Sequence, residues 1–258
     1  MIWLRAFGFN LAFFGVTLLL GVAALPLLLA PRRTVMRFGR FWAQCVLWLA
    51  RLIVGLDGEV RGGEHLPGPP FLLAMKHQSA WDTLILPVLL GDPAVVIKRE
   101  LLWVPLYGWY AGRAGAIPIH RRGGAAALRR MLAAAKRAAA GGRPIVIFPQ
   151  GTRTAPGQHL PYQPGVAALY QALDLPLVPA AVNSGLFWGR RSFVKRPGRI
   201  VLEFLEPIPP GLPRRELMAV LENRIEAATA ALEREATAGY RALGNQSSSA
   251  LLRIGSSE

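Results

Sequence analysis

Two side chains that can share a proton stand close together in the segment MKHQSAWDTL, residues 75–84. His77 and Asp82 are separated by four residues and follow the apolar run PFLLAM. A carboxylate one turn into a helix can hold one nitrogen of a histidine ring, so that the other nitrogen takes a proton from a substrate. A structural interpretation also fits, because Ser79 has the position of a helix N-cap, with Asp82 near the end of the first turn. Spacing alone leaves both interpretations open, and the two are compatible.

A second segment, IFPQGTRT at residues 147–154, has the residue types of an anion site. A buried β-type run ends in a turn where Gly151 allows close backbone approach and Thr152 supplies a hydroxyl donor. The guanidinium of Arg153 offers two parallel donors to a phosphate or a carboxylate. The alternative is an ordinary polar loop with a solvated arginine.

A third segment, residues 96–122, combines basic and aromatic residues. Lys98 and Arg99 end an apolar β-type run. Four aromatic residues crowd the following stretch, namely Trp103, Tyr107, Trp109 and Tyr110. The pattern fits either a core helix beside a basic surface patch, or a face that meets a membrane or lines a lipid groove. The basic run at 120–122 is interpreted as solvated surface.

Short β-type runs that alternate with helical stretches must position these side chains. The β-type runs are residues 70–75, 94–98, 115–120, 143–148, 175–182 and 198–205. The helical stretches are residues 80–90, 101–111, 123–140, 165–173 and about 213–240. This alternation predicts an α/β fold with a mixed, mainly parallel sheet flanked by helices. We expect residues 57–240 to form this domain and residues 241–258 to be a disordered tail.

The N-terminal segment is hydrophobic and predicts a membrane anchor. Residues 6–30 carry no charge over 25 positions, which as a helix would cover the roughly 30 Å apolar core of a bilayer. The run exceeds the apolar region of a signal peptide, about 7 to 15 residues. A second, amphipathic stretch at 41–56 places Trp42 and Trp48 for the lipid headgroups. Residues 1–56 are therefore expected to form a two-helix membrane-associated segment that either spans the bilayer or enters one leaflet.

Composition narrows the classes of function. Lys and Arg number 30 against 15 acidic residues, a net charge of +15, which suits phospholipid, nucleic acid or an acidic substrate. The single cysteine, Cys45, lies in the hydrophobic segment, and no GxSxG, GxGxxG or P-loop pattern occurs. What remains is a His–Asp base that activates a hydroxyl of the substrate itself. The hydrophobic segment indicates a lipid substrate, and Arg153 indicates a phosphate on that lipid.

Four segments in order resemble the glycerolipid acyltransferase family, and within it the bacterial 1-acyl-sn-glycerol-3-phosphate acyltransferases. KHQSAWD is similar to the family pattern NHxSxxD, and FPQGTRT is similar to FPEGTRS. KRELLWVPLYG matches a block with a basic residue and spaced Pro and Gly, and VPAAVNSG matches an apolar strand that contains Pro. Together the blocks cover about residues 70–190.

The resemblance implies that His77 deprotonates the sn-2 hydroxyl of lysophosphatidate while Asp82 orients the ring and balances its charge. The hydroxyl then attacks the thioester of acyl-CoA or acyl carrier protein and gives phosphatidate, with no acyl-enzyme, no metal and no other cofactor. The implied substrate-binding residues are Arg153, Gly151, Thr152, Gln150, Lys98 and Arg99. The implied partners are membrane phospholipid, lysophosphatidate and the acyl donor, with no nucleic acid. The implied location is the bacterial inner membrane, with the catalytic domain facing the cytoplasm.

Two residues depart from the family pattern. Lys76 replaces the usual Asn and places a positive charge beside the proposed base, and Gln150 replaces the usual Glu and removes a carboxylate. The acceptor is less well defined as a result, and another lyso-lipid, such as a lyso-ornithine lipid, is an alternative. A non-enzymatic basic protein that binds anionic lipid or nucleic acid is a further alternative. It explains the charge but not the His–Asp and Gly–Thr–Arg segments.

Overall fold

A sheet of seven strands forms the centre of the described chain. The computed structural model describes the backbone of residues 1–120 and 123–254, and the side chains of residues 1–120 and 123–239. The strands are β1 Leu56–Arg61, β2 Leu72–Met75, β3 Ala94–Lys98, β4 Ile117–Ile119, β5 Ile145–Ile147, β6 Leu177–Val182 and β7 Gly198–Phe204. Their order across the sheet is β1-β7-β6-β2-β5-β3-β4.

Neighbouring strands are parallel except for the antiparallel pair β6 and β7. The predicted α/β fold with a mixed, mainly parallel sheet is confirmed. Six of the strands lie within the expected runs, whereas β1 was not expected. Its sequence LDGEVR is too polar to be read as a strand, and it is held by parallel pairing with β7 from Leu56 to Arg61.

Helices cover both faces of the sheet. They are α1 Ile2–Ala23, α2 Arg32–Leu49, α3 Trp81–Leu90, α4 Tyr107–Arg113, α5 Gly124–Ala140, α6 Gly165–Leu173 and α7 Arg214–Ile254. The single helix expected at 101–111 is wrong, since a 3₁₀ turn, Arg99–Trp103, precedes α4. Pro105 explains the break, because proline disfavours helical backbone at the residue before it, and Val104 has an extended ψ of 119°.

The last helix, α7, extends beyond the end near residue 240 that the sequence suggested. The disorder predicted for 241–258 stays a prediction, since the side chains from 240 onward and the backbone of 255–258 lie outside the described residues.

Alternation along β2 divides the core into two layers. Leu73 and Met75 pack in one cluster with α1, α2 and α3. Leu72 and Ala74 pack in the other cluster with α5, α6 and α7. Successive strand residues point to opposite faces, so the residues that follow β2 are also distributed between the two layers.

The first two helices form an antiparallel hairpin that belongs to the core and also exposes an apolar surface. Trp42 Nε1 donates to Thr17 Oγ1 at 3.1 Å across the hairpin, and Phe9 is fully buried in the core. The other side of α1 exposes large apolar residues, among them Trp3, Leu4, Phe7, Leu11, Phe14 and Leu18. Among the described residues, α1 is the one helix long and apolar enough to cross a membrane. The hairpin is therefore a candidate anchor.

Candidate active site

The imidazole of His77 and the carboxylate of Asp82 form a buried pair where β2 ends. His77 Nδ1 lies 2.8 Å from Asp82 Oδ2. The same oxygen accepts the backbone N–H groups of Gln78 at 2.7 Å and Ser79 at 2.8 Å. Ser184 donates its hydroxyl to Asp82 Oδ1 at 2.5 Å. Four donors and complete burial fix this carboxylate, which holds Nδ1 protonated and leaves Nε2 as the proton acceptor.

The chain turns sharply between the histidine and the helix that carries the aspartate. Ser79 was expected to be the N-cap, but α3 begins at Trp81 with Ala80 in the cap position. Ser79 Oγ still accepts the N–H of Trp81 at 3.1 Å, so the serine satisfies a free amide of the first turn from one position further out. The capping contact of Ser79 and the His77–Asp82 hydrogen bond therefore coexist in one turn, and the catalytic role of the pair stays a prediction.

The segment after β5 packs directly on the histidine. Phe148 stacks on the His77 ring with centroids 4.0 Å apart and an interplanar angle of 22°. Thr154 binds the carbonyl oxygen of His77 twice, through its backbone N–H at 2.8 Å and its hydroxyl at 3.2 Å. The proposed base and the predicted anion site of residues 147–154, here called the anion loop, are thus held as one unit.

The turn of the anion loop requires its glycine. Gly151 has a φ of +69°, a left-handed conformation that residues with a Cβ rarely adopt, and its N–H donates to the carbonyl of Phe148 at 2.8 Å. This bend directs the chain towards Thr152 and Arg153, both of which are half-buried.

Arg153 is a desolvated cation close to the proposed base. Desolvation lowers the pKa of its guanidinium from the usual value, and the nearby Asp82 carboxylate and Tyr107 oppose that shift. Arg190 places a second positive charge beside Arg153, because its Nη1 donates to the carbonyl oxygen of Arg153 at 3.4 Å. No carboxylate lies within ion-pair distance of Arg153 in the described part of the chain. The geometry therefore offers a partly dehydrated site for an anion beside His77.

The two departures from the family pattern meet at one carboxylate on α7. Lys76 Nζ donates to Glu226 Oε2 at 2.6 Å, and Gln150 Nε2 donates to Glu226 Oε1 at 2.9 Å. Tyr162 adds a third donor, its hydroxyl, at 2.9 Å. Since strand residues alternate, Lys76 lies on the α7 face and His77 on the α3 face. The positive charge beside the base is thus paired, and a carboxylate absent from the motif is supplied by Glu226.

A second carboxylate on α7 holds the loops from the same side. Glu233 accepts the side-chain amide of Gln78 at 2.7 Å and the N–H of Gly157 at 3.0 Å. Gln78 in turn accepts the N–H of Gly185 at 3.0 Å. These contacts connect the His77 turn, the anion loop and the segment that carries Ser184.

The remaining predicted residues lie apart from this unit. Gln150 is buried against Glu226, and its predicted part in substrate binding stays a prediction. Lys98 is exposed and pairs with Glu100 at 4.0 Å. Arg99 is also exposed and lines a separate cleft with His120. The surface position predicted for residues 121–122 lies outside the described residues.

An apolar cavity of about 210 Å³ lies where α1 to α4 meet. Its lining includes Gly21 and Trp42 from the hairpin and Leu84 from α3. Tyr107 also lines it and interacts electrostatically with Arg153, which places the cavity beside the anion loop. The described residues contain no group of three or more His, Cys, Asp or Glu placed to hold a metal ion.

Sequence reasoning did not find Ser184, Phe148, Arg190, Glu226 or Glu233. Phe148 lies within the segment 147–154 that the sequence analysis had already selected. Its position beside the predicted anion site was the signal that could have identified it. The two glutamates are seven residues apart on α7, a spacing that puts them on one helix face, but nothing local shows which loops that face meets.

Comparison with known proteins identifies the family to which the chain belongs. A family model described as acyltransferase matches residues 57–183. The chain is 36% identical over 159 residues to a 1-acyl-sn-glycerol-3-phosphate acyltransferase of Pseudomonas aeruginosa, which covers 62% of each protein. It is 31% identical over 207 residues to the alpha form of this enzyme from Mus musculus, 78% of this chain and 71% of that protein. The chain belongs to the acyltransferase family.

The acyltransferase family was the resemblance inferred from the four ordered segments, and it is confirmed. The crystal structure of a 1-acyl-sn-glycerophosphate acyltransferase from Thermotoga maritima matches with a TM-score of 0.73 and 20% identity. That match covers 90% of this chain and 98% of the other. The chain described here therefore shares the fold of the Thermotoga maritima protein over nearly the whole length of both.

Proposed function

We propose that this acyltransferase transfers a fatty acyl group from a thioester donor to the sn-2 hydroxyl of 1-acyl-sn-glycerol 3-phosphate, giving phosphatidate. One observation carries the proposal: Asp82 orients His77, the proposed proton acceptor, and Thr154, the residue after Arg153, donates two hydrogen bonds to the carbonyl oxygen of His77. The base and the phosphate site are therefore close enough to act on one small headgroup. The relatives from Pseudomonas aeruginosa and Mus musculus carry the name of this activity.

The reaction follows from the protonation state that Asp82 imposes. His77 Nε2 takes the proton of the acceptor hydroxyl while that oxygen attacks the thioester carbonyl. The tetrahedral intermediate collapses with loss of the thiolate, which receives the proton back from the imidazolium. The enzyme would hold acceptor and donor side by side, and proximity would be the larger contribution, with effective molarities that reach roughly 10⁵ to 10⁸ M in oriented pairs.

The acceptor phosphate binds Arg153, with Arg190 adding positive charge and the Gly151–Thr152 turn supplying donors. The apolar cavity beside Tyr107 holds an acyl chain. The exposed apolar side of α1 enters phospholipid, and the arginines from Arg32 to Arg40 favour the cytoplasmic side for the domain by the positive-inside rule. The location that we propose for the enzyme is therefore the inner face of a bacterial cell membrane. Acyl-CoA or acyl carrier protein serves as the donor, and no metal is required.

The function is tested by incubating purified protein in phospholipid micelles with radiolabelled acyl-CoA or acyl carrier protein and a panel of lyso-lipids. The panel contains lysophosphatidate, lysophosphatidylcholine, which masks the phosphate charge, and a lyso-ornithine lipid, which lacks phosphate. We expect labelled phosphatidate and little product from the other two. Preferred acylation of the lyso-ornithine lipid would replace the proposed acceptor.

His77→Ala is the matched inactive variant. It removes the proton acceptor but leaves α1 intact, so acyl transfer is lost while the protein still sediments with phospholipid vesicles. Transfer at the native rate by this variant contradicts the proposed mechanism. Failure of the native protein with every acceptor contradicts the proposed function.

A further inference from the structure

A basic cleft of about 660 Å³ lies outside the site described above. The face of α5 that lines it carries two arginines, Arg130 and Arg137, together with alanines at 127, 133 and 134. The opposite wall is formed by Arg99 and Leu102 after β3, and by Pro118 and His120 at β4. The cleft therefore combines a small-residue, apolar floor with cations along its length, in the size range of small-molecule sites.

Within the described ranges, the two cleft arginines on α5 form no ion pair. No carboxylate lies within 4 Å of Arg130 or Arg137 in the part of the chain that the structure describes. The sequence explains this, because no Asp or Glu occurs between Glu100 and Asp174. Such an excess of positive charge in a concave site favours a ligand with several negative charges.

The cleft and the active site share an edge of the sheet. His77 follows β2, whereas Arg99 and His120 follow the carboxyl ends of β3 and β4. β3 and β4 lie two and three strands from β2, roughly 10 and 14 Å away at about 4.8 Å per strand. From there the cleft continues along α5, where Arg130 and Arg137 are about 10 Å apart at 1.5 Å per residue. Because α5 packs on the α7 face and His77 lies on the α3 face, a ligand that reached from the cleft to His77 would pass over this edge of the sheet. It would be long, with its charge at the end remote from the reaction.

We propose that this cleft binds the phosphate-bearing nucleotide of coenzyme A, so that the acyl donor is acyl-CoA. The inference rests on the proposed function. Acyl-CoA has the required shape: a thioester at one end of an extended arm, and a diphosphate and a 3′-phosphate at the other. The apolar floor accepts the flat adenine, and the two arginines bind the separated phosphates. A concave pocket of this volume suits a nucleotide better than the broad convex surface of an acidic carrier protein.

The sequence of α5 provides a matched pair of variants. Arg130→Ala/Arg137→Ala removes two charges from the cleft. Arg129→Ala/Lys136→Ala removes two charges with the same seven-residue spacing from a neighbouring stripe of the helix, outside the cleft lining. We expect the first variant to raise the KM for acyl-CoA by at least about tenfold, since a charge-assisted hydrogen bond contributes about 1.5 to 3 kcal/mol. Its kcat and its KM for lysophosphatidate should remain native, and the second variant should change none of these values.

Two further measurements distinguish a nucleotide site from a surface for a carrier protein or a membrane. With an S-acyl-pantetheine donor, which lacks all phosphates, the two variants and the native enzyme should have equal KM values. Adenosine 3′,5′-bisphosphate should bind the native protein and the Arg129/Lys136 variant equally, and the Arg130/Arg137 variant at least about tenfold more weakly. This binding is measured by calorimetry and needs no turnover, so it tests the cleft even if the proposed acceptor is wrong.

The proposal would be overturned if both variants kept the native KM for acyl-CoA. It would also be overturned if both variants raised this KM equally. If the Arg130/Arg137 variant lost activity only with acyl carrier protein as the donor, the cleft would be a binding surface for that acidic protein. This result would overturn the proposed nucleotide site. Weaker sedimentation of the Arg130/Arg137 variant with anionic vesicles, without a change in KM for acyl-CoA, would make the cleft a membrane-facing surface and also overturn it.

Discussion

The ion pair between Lys76 and Glu226 gives a sharp prediction about stability. Glu226→Gln keeps the size of the side chain and an oxygen for Gln150 and Tyr162, but it removes the charge that Lys76 meets at 2.6 Å. The Lys76 side chain is 2% exposed, and its other acceptor is the carbonyl of Gln158 at 3.4 Å. The substitution therefore leaves a buried ammonium without a counter-charge.

The size of the loss follows from the burial of the two partners. Breaking a buried pair by removing one partner costs about 3 to 5 kcal/mol. Glu226 is 21% exposed, which admits some water and favours the lower end, about 3 kcal/mol. For a chain of this length, about 1 kcal/mol shifts Tm by roughly 2 to 4 °C. We expect Tm to fall by roughly 6 to 12 °C.

Thermal unfolding followed by tryptophan fluorescence in detergent micelles measures this shift. Glu222→Gln is the matched control on the same helix, because Glu222 pairs with His159 at a similar 2.6 Å but in an exposed position. An exposed pair contributes at most about 1 kcal/mol, so the control should shift Tm by roughly 4 °C or less.

A double-mutant cycle measures the coupling between Lys76 and Glu226. Lys76→Met combined with Glu226→Gln removes both charges and should recover most of the lost stability, because replacing a whole buried pair with apolar or neutral groups is often neutral. The reasoning is refuted if Glu226→Gln costs no more than Glu222→Gln. It is also refuted if Lys76→Met destabilises the Glu226→Gln background as much as it destabilises the native protein, since the coupling energy would then be zero.

Three further substitutions test the site and its supports. Arg153→Ala should raise the acceptor KM by about tenfold or more with a small change in kcat, measured against lysophosphatidate; an unchanged KM contradicts the anion site. Ser184→Ala removes one of four donors to the buried carboxylate and should lower kcat by about tenfold at unchanged KM values; a native kcat would show that this donor is dispensable. Gly151→Ala places a Cβ at a φ of +69° and should cost about 1 to 2 kcal/mol in thermal unfolding, whereas Gly68→Ala, with open space and no positive φ, should cost less.

Much of the fold was predictable because its signals are local. Apolar runs bounded by Gly and Pro identified six strands, and both partners of the His77–Asp82 pair lie within one short segment. β1 was missed since its polar sequence becomes a strand only by pairing with β7, about 140 positions later. The interruption near Pro105 carried a local signal, which the aromatic residues around it obscured.

The supports of the site were not predictable from spacing. Ser184 lies 102 positions from Asp82, and Glu226 lies 150 positions from Lys76. The order of the strands and the packing of α7 determine which distant segments meet. A short sequence motif contains no information about either. The position of Lys76 is an exception, since alternation along β2 already separates it from His77.

The order in which the chain is made gives the α7 contacts a further meaning. Synthesis proceeds from the N-terminus, so the apolar hairpin leaves the ribosome before the strands and before α7, and the proposed membrane contact can form while those elements are still being translated. Glu226 and Glu233, which hold the loops around His77, emerge after all seven strands. If the hairpin attaches the chain to a membrane as proposed, we expect a nascent chain stalled before residue 226 to bind lipid but to be inactive, because it lacks the contacts that hold the loops around His77.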